Sequence, residues 1–509
     1  MSGLLLATSL STSAEVFAQE KSPNLLYIFP DQYRLTALSI WSDPAYKESL
    51  STIGDPVHTP NLDKLAKQGV IFTQATSTHP LSSPYRGMLM TGMYPSENGI
   101  ENNNCRDGRE QGMHHHIETL TDVLTHSDYE TAYIGKVHWE TTLPLFDEAG
   151  NYVGTEEAPG GYLVNKFDTY VPAGRGRHGN KYWFQQITKT HFHTLAYSNR
   201  PELVEGKKDG EVHHYNRFSV ELEAEIIMDY LKNNDGQRNA SKPFSLFWAL
   251  NPPHAPYSKI EHCKEEVYNK FYKDLSFDEV IVRENISYGD KTQYKKKENL
   301  ALNAKVYFSL IKSIDDEVGK VLAILEEEGL ADNTIVVFTS DHGEMMGSHG
   351  SSGKNSYYDE AFLVPFIIRY PGKIAHHTNN LMFGPTDIMP TLLSMMGLES
   401  NIPASVMGAD YSDGIMTGEF VKNQKPTSAL YLNNNKKGVR TNSYTYVVDK
   451  NGEYVLYNNL NDPYQTVSLK LHQINTSDAQ FLKQELGQWL IKAKDGWAKQ
   501  RMFPSLIAY

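Results

Sequence analysis

Four short apolar runs in this chain each lead into a residue that can carry charge or move a proton. Asn24-Leu25-Leu26-Tyr27-Ile28-Phe29 runs into Pro30-Asp31-Gln32, and Ala132-Tyr133-Ile134 into Gly135-Lys136-Val137-His138. Phe244–Leu250 ends at Asn251-Pro252-Pro253-His254, and Thr334–Thr339 at Ser340-Asp341-His342. One such junction carries little information. Four of them predict that the loops beyond the strand ends converge on one site. A fifth segment, Ser82-Ser83-Pro84-Tyr85-Arg86, adds a hydroxyl and a fixed positive charge. Pro84 sits where a helix can begin, because its missing N–H costs nothing in the first turn. A side chain just before it would face the positive end of that helix, a ready anion site. Arg86 is charged at every working pH. Ser82 has no base beside it in sequence, so as plain serine it is a weak nucleophile.

These junctions need a scaffold that sets strand ends side by side. Asn24–Phe29 is apolar throughout, which suits a strand buried on both faces of a parallel sheet. Ala132–Ile134, Phe244–Leu250, Thr334–Thr339 and Phe366–Arg369 read as further strands. Between them Asn61–Lys67, Ile117–Leu124, Leu300–Leu330 and Thr386–Met396 read as helices. Strands alternating with helices predict an α/β domain with a central, mostly parallel sheet. The stretch from about 140 to 240, rich in Gly, Tyr and His, reads as long irregular insertions of the kind that carry specificity. From about Pro426 the pattern changes to short strands at Leu430–Leu432, Gly438–Arg440, Tyr444–Val448 and Tyr454–Tyr457. Asn451-Gly452 is a hairpin signal, and a helix carrying Trp489 and Trp497 follows over Ser477–Lys499. The expected organisation is a signal peptide at 1–18, a catalytic domain at 19–425, and a smaller α+β subdomain with an antiparallel sheet and a helix at 426–509.

The chain has 509 residues, with 48 Lys and Arg against 61 Asp and Glu, a net charge of −13. That balance argues against nucleic-acid binding. An anionic substrate would have to meet a local basic pocket. Two cysteines, Cys105 and Cys263, cannot make a disulfide scaffold or a cysteine zinc site. No apolar run reaches the roughly 18–20 residues that span a bilayer. Leu4–Ala7 and Val16-Phe17-Ala18 fit the apolar stretch and small-residue cleavage rule of a secretory leader, so a periplasmic or secreted location is expected.

The run from Ser82 to Gly92 resembles the signature of the type I sulfatases, in which Cys or Ser is followed by x-Pro-x-Arg and then by x-x-Leu-x-Thr-Gly. The resemblance extends from Pro23 to about Pro463, with the other motifs in family order. It implies an alkaline-phosphatase-like fold and a sulfuric ester hydrolase in which Ser82 is oxidised to formylglycine. The serine form is similar to bacterial members matured by a radical-SAM enzyme that works without oxygen. The hydrated aldehyde is then the nucleophile, with Arg86 on its hydroxyl. Asp31-Gln32 and Asp341-His342 stand where the family carries its metal pairs, residue 82 completing the set. Oxygen-rich ligands imply Ca²⁺, with Mg²⁺ as the alternative. Two departures bear on the metal: Gln32 replaces the usual Asp and removes a negative charge, and His342 brings a nitrogen. Gly135-Lys136-Val137-His138 is similar to the family's Gly-Lys-x-His, which implies Lys136 on the sulfate oxygens and His138 against the diol. His254 in Asn251–Pro256 matches the catalytic histidine and becomes the general acid. Lys354 matches the lysine on the sulfate and bridging oxygen, while Glu360 and Pro365 fit the pattern as structural residues.

Three further clusters lie outside the resemblance. Arg175-Gly176-Arg177-His178, close to Tyr182 and Trp183, has the make-up of a sugar subsite, with Arg177 and His178 as the contacts. Asn104 and Arg106 are weaker candidates of that kind, and His114-His115-His116 reads as a loop with no carboxylate partner nearby. The expected reaction is attack of the formylglycine diol on sulfur, with His254 protonating the leaving sugar oxygen. The substrate would be a sulfated saccharide built on galactose or N-acetylhexosamine. One alternative is a phosphatase or phosphodiesterase of the same superfamily, which would hold two metal ions. The other is a non-catalytic sulfated-glycan-binding protein, favoured if Ser82 is never oxidised.

Overall fold

The computed structural model describes residues 21–104, 112–140, 170–188, 190–420 and 425–499. The expected leader segment, Cys105 and Arg106 lie outside them. Strands β1 (Asn24–Ile28), β2 (Val70–Phe72), β3 (Glu130–Gly135), β4 (Tyr182–Thr188), β5 (His193–Ser198), β6 (His213–Asn216), β7 (Phe244–Ala249), β8 (Thr334–Thr339), β9 (Phe366–Arg369) and β10 (His377–Asn379) form one sheet. Their order is β10-β2-β9-β8-β1-β7-β3-β4-β5-β6. The five central strands, β8-β1-β7-β3-β4, are parallel throughout, and antiparallel pairs occur only toward the two edges. Every residue of β1, β7 and β8 is buried, as the unbroken apolar runs required.

Seven helices matter for the site: α1 (Pro60–Ala66), α2 (Ser82–Thr91), α3 (Leu120–His126), α4 (Ser219–Lys232), α5 (Lys297–Glu327), α6 (Pro385–Met395) and α7 (Thr476–Lys492). Alternate strand residues face opposite layers. Leu26, Ile28, Leu246, Trp248, Val336 and Phe338 pack with residues of α1, α4 and α5. Leu25, Tyr27, Phe247, Ile335 and Val337 pack with residues of α2, α3 and α6. The long α5 owes its length to apolar residues spaced three or four apart (Leu300, Ala304, Tyr307, Ile311, Ile314, Val318, Val321 and Leu325), and it stops before Gly329 at φ +66°.

One region departs from expectation. The stretch around 140–240 is not irregular where it is described. It supplies β4, β5 and β6 at one edge of the sheet and α4 beneath it. At the other end of the chain, β11 (Ala429–Leu432), β12 (Lys436–Arg440), β13 (Tyr444–Asp449) and β14 (Tyr454–Asn458) make a separate antiparallel sheet. Its core of Leu430, Val439, Tyr446 and Leu456 packs on Leu482, Leu486 and Leu490 of α7. Met88 of α2 and Tyr94 join the same cluster, so the small sheet rests on the helix that begins at Ser82.

Glu223 of α4 is fully buried and accepts the indole N–H of Trp248 at 2.7 Å, while its other oxygen has no partner. Burial pushes its carboxyl up to about 8. The folded protein therefore holds a proton that the unfolded chain gives up. Stability falls as pH rises from the ordinary glutamate range to about 8, by up to roughly 1.4 kcal/mol per pH unit from this group. Glu223→Gln keeps the acceptor for Trp248 and removes the proton. Thermal midpoints measured from pH 5 to 8 should decline less steeply in the variant and stand above those of the parent at pH 8. Parallel curves would refute this account.

Candidate active site

The strand ends converge. Beyond β1, the Asp31 N–H donates to the Leu250 carbonyl at 3.0 Å, and beyond β3 the Lys136 N–H donates to the Ala249 carbonyl at 2.7 Å. Three loops are thus stitched edge to edge. Gln32 takes a left-handed backbone, φ +69°, held by its N–H on Asp341 Oδ1 (3.0 Å) and by its carbonyl under the Tyr307 hydroxyl (2.7 Å). His138 is also left-handed, φ +59°. Such residues store backbone strain and cluster at functional sites.

Ser82 is fully buried at the first position of α2, inside the helix rather than ahead of it, with Pro84 two residues further along. Its Oγ lies 3.1 Å from His342 Nε2. One turn later Arg86, also fully buried, reaches Asp31 Oδ2 and Asp341 Oδ2 at 3.4 Å each and donates to the Lys136 carbonyl at 2.8 Å. Lys136 Nζ is 2.7 Å from Asp31 Oδ2. Lys354 Nζ donates to Gln32 Oε1 at 2.9 Å and stands 3.9 Å from Asp31 Oδ1. Three cations thus face two carboxylates at the centre of the cluster.

The remaining groups fit a divalent cation. The ligand atoms of Asp31, Asp341 and His342 lie within 4.8 Å of one another, the one such group among the described residues. His342 Nδ1 is 3.0 Å from the Gly343 carbonyl and so carries the proton, which turns the Nε2 lone pair toward Asp31 Oδ1 at 3.5 Å and Asp341 Oδ1 at 3.6 Å. Burial and the Lys354 ammonium hold that imidazole well below its usual range, hence neutral. Asp31 Oδ1 is buried with no hydrogen-bond partner, a vacancy in bonding that a cation would fill. Burial alone would raise the Asp31 carboxyl, but Lys136, Lys354, His254 and His342 outweigh it and hold it well below the carboxylate range. Burial and the Asp31 charge push Asp341 the other way.

His254 stands over this group, half-buried, its Nδ1 2.9 Å from the Ala255 carbonyl so that Nε2 is left for chemistry. Burial and Lys354 hold it well below the histidine range, with Asp31 pulling against them. Burial, Lys136 and Arg86 do the same to His138.

Residues 23–398 match the family described as Sulfatase, and residues 347–492 match the family described as N-sulphoglucosamine sulphohydrolase, C-terminal. This chain belongs to the sulfatase family. It is 33% identical to an endo-4-O-sulfatase of Bacteroides thetaiotaomicron over the whole of both chains. It is 28% identical to an ulvan-active sulfatase of Formosa agariphila, over 88% of this chain and 77% of that one. Among solved structures, a Bacteroides thetaiotaomicron sulfatase from work on the metabolism of multiple glycosaminoglycans superposes with a TM-score of 0.86 at 32% identity, covering 96% of this chain and 100% of that one. The sulfatase is a sulfuric ester hydrolase with an alkaline-phosphatase-like fold.

Two of the sulfatase's expected contacts lie apart from the cluster. Arg177 is buried, paired with Asp209 at 2.6 and 2.7 Å, bonded to the Val171 carbonyl, and set over the Trp183 ring at 5.1 Å. His178 is buried against Asp122 at 3.3 Å. Both groups are engaged within the protein, Arg177 with Asp209 and the Val171 carbonyl and His178 with Asp122 of α3. His115, expected to lack an acid, meets Glu140 at 2.7 Å. Asn104 does reach the site's edge, its N–H on Ser83 Oγ at 3.1 Å. Glu360 is structural, held by Arg283 at 3.0 Å and Asn285 at 2.6 Å.

Two residues of the sulfatase site escaped the sequence reading. Glu344 is fully buried, hydrogen-bonds the Gln32 side-chain amide, and accepts the Met346 and Gly353 N–H groups at 2.9 and 2.7 Å. It therefore fixes which way Gln32 turns. Its only signal is an acid two residues past Asp341-His342. His191 is fully buried beneath the His254 loop, its Nε2 3.0 Å from the Pro256 carbonyl, and nothing in its neighbourhood of sequence marks it.

Proposed function

We propose that this sulfatase removes a sulfate ester from a glycan built on galactose or N-acetylhexosamine, with residue 82 oxidised from serine to formylglycine. The observation that carries the reading is the placement of Ser82 Oγ at the start of α2, 3.1 Å from His342 Nε2 and inside a cluster of three cations and two carboxylates. The full-length likeness to an endo-4-O-sulfatase supports a ring 4-sulfate as the first candidate ester. A matured residue 82 would supply the attacking hydroxyl. A divalent cation, calcium first and magnesium second, would be held by Asp31, Asp341 and His342 beside Gln32, and would polarise an ester oxygen and acidify that hydroxyl.

The chain's own residues do the rest. Lys136 and Lys354 bind the ester oxygens with charges already in place. Arg86 holds the two carboxylates in register. Asp341 accepts the proton of the attacking hydroxyl. As the S–O bond breaks, its electron pair goes to the sugar oxygen, which takes a proton from His254 Nε2. The anionic ester supplies the negative charge that His254 needs to be protonated at the right moment. His138 takes the last proton from residue 82 when sulfate leaves. An oxygen-independent radical-SAM maturase and an extracytoplasmic location complete the reading, supported by the serine at position 82 and the leader-like first 18 residues.

The test is sulfate release from a panel of defined sulfated sugars, after co-expression with a serine-type maturase. Release from one member, abolished in Ser82→Ala, is the expected result. No release from any member, with the aldehyde at residue 82 verified by peptide mass, would overturn it. The metal has its own check: elemental analysis should find about one divalent ion per chain. Chelation should lower the thermal midpoint, with Ca²⁺ restoring it in the parent but not in Asp31→Asn. Two ions per chain would favour the phosphodiesterase alternative.

A further inference from the structure

Between α2 and the C-terminal sheet lies a cavity of about 420 Å³, within the roughly 300–1,000 Å³ range of small-ligand sites. His79, Asn102, Asn434, Lys437, Asp495 and Trp497 are among the residues that line it. Hydrogen bonds link its walls to the neighbours of Lys354 and Ser82 at two places. His79 and Pro80 immediately precede the Ser82 helix, and the Pro80 carbonyl accepts the N–H of Asn355, which follows Lys354, at 2.9 Å. Asn433, next to Asn434, donates to Asn355 Oδ1 at 2.7 Å. On the other side the Ser83 N–H donates to Asn103 Oδ1 at 3.1 Å, and Asn102 is its neighbour.

The chemistry of this cavity differs from that of the cluster. Lys437 is already paired with Asp495 at 2.8 Å, and Glu101 adds a further acid to the wall. Among the described residues that line it, no positive charge is left unopposed to hold a second anion. What the walls do offer is hydroxyl chemistry: amides from Asn102 and Asn434, and the imidazole of His79. His79 is buried, and its Nε2 has no hydrogen-bond partner. Burial and the Lys437 charge bring its pKa down to about 3, so the ring stays neutral, with one donor and one acceptor. Trp497 and Tyr94 add apolar surface.

We propose that this cavity is a saccharide subsite, which binds a sugar ring of the glycan through its hydroxyl groups and apolar face, not through a charge, while the sulfate of another ring occupies the catalytic cluster. The proposal rests on the glycan sulfatase reading above. It makes the substrate an oligosaccharide rather than a free sugar, and it assigns the C-terminal subdomain a part in choosing it.

The probe is N-acetyllactosamine, an uncharged disaccharide of the two sugar types at issue, observed by saturation-transfer NMR on the full chain. Gly496 lines the cavity, and a Cβ built on it meets no atom within 4 Å, so a side chain can start there and Gly496→Trp is the filling variant. The expected result is a transfer signal on the parent that persists in high salt, is lost in Gly496→Trp at an unchanged thermal midpoint, and weakens several-fold in Asn434→Ala, a substitution at an exposed position. Absence of signal on the parent, or equal signal in Gly496→Trp, overturns the subsite. Sulfate release from the sulfated-sugar panel by the matured parent tests the underlying reading separately. Its absence alongside a cavity-dependent signal would sink the sulfatase chemistry and leave the saccharide site standing.

Discussion

His254→Ala should lower kcat/KM for a saccharide sulfate by roughly 10²–10⁴-fold, the usual contribution of a positioned general acid. The same substitution should cost less than about tenfold on 4-nitrophenyl sulfate, because a nitrophenolate leaves without a proton whereas a sugar alkoxide does not. The contrast follows from geometry. His254 Nδ1 is fixed on the Ala255 carbonyl at 2.9 Å, so Nε2 alone can carry the proton to the leaving oxygen. The loop that presents it leaves β7 and is held from below by His191 on the Pro256 carbonyl at 3.0 Å. Steady-state kinetics on the two substrates decide the matter: equal losses on both would remove His254 from the role of acid and leave it a part of the pocket wall.

Arg86→Met is expected to destabilise the fold by roughly 3–5 kcal/mol, the range for removing one partner of a buried charge pair. Methionine fills much of the same space, so the loss is electrostatic in origin. Arg86 has no exposed surface and stands 3.4 Å from a carboxylate oxygen on each side. Lys136 still covers Asp31, but Asp341 loses its only cationic partner at hydrogen-bond range among the described residues, since its other acceptor contacts are with backbone N–H groups. A bound divalent cation would neutralise the same oxygens. Denaturant midpoints should therefore show the largest loss in chelator and a smaller one in Ca²⁺. A variant as stable as the parent in chelator would mean that the two carboxylates are not held ionised by Arg86.

The parts of this molecule that were legible in its sequence are those whose signal is local. β1 and β8 are strongly apolar runs, and each is followed within three residues by the acid it positions, so both the sheet and the edge where these groups gather could be read from Asp31 and Asp341. Lys136 and His254 follow the same rule on β3 and β7. The parts that were not legible depend on partners distant in sequence. Arg177 beside Tyr182 and Trp183 has the composition of a sugar platform, yet its partner is Asp209, 32 residues away, and the pair closes on itself. A buried cation over an indole and an exposed one look alike in sequence. Glu344 was hidden for a related reason: its meaning lies in the Gln32 amide, 312 residues back. The strands β4–β6 carry polar and aromatic residues at a sheet edge, where the clean apolar run of a central strand is absent.

β1 is hydrogen-bonded to β7 on one side and to β8 on the other, and Asn24 meets Thr334 across 310 residues of chain. The middle of the sheet is therefore closed by a strand made late in synthesis. Until Thr339 has left the ribosome, β1 lacks a neighbour, and the pocket lacks both Asp341 and His342. At about 5–20 residues per second, translation from Ser82 to that point takes roughly ten seconds to a minute. During that interval the serine that ends with no exposed surface is not yet closed in by that strand and its loop. On the formylglycine reading proposed above, the topology works as a clock: the oxidation of residue 82 has to come while the last central strand is still being made, because a chain that folds first seals the unmodified side chain inside.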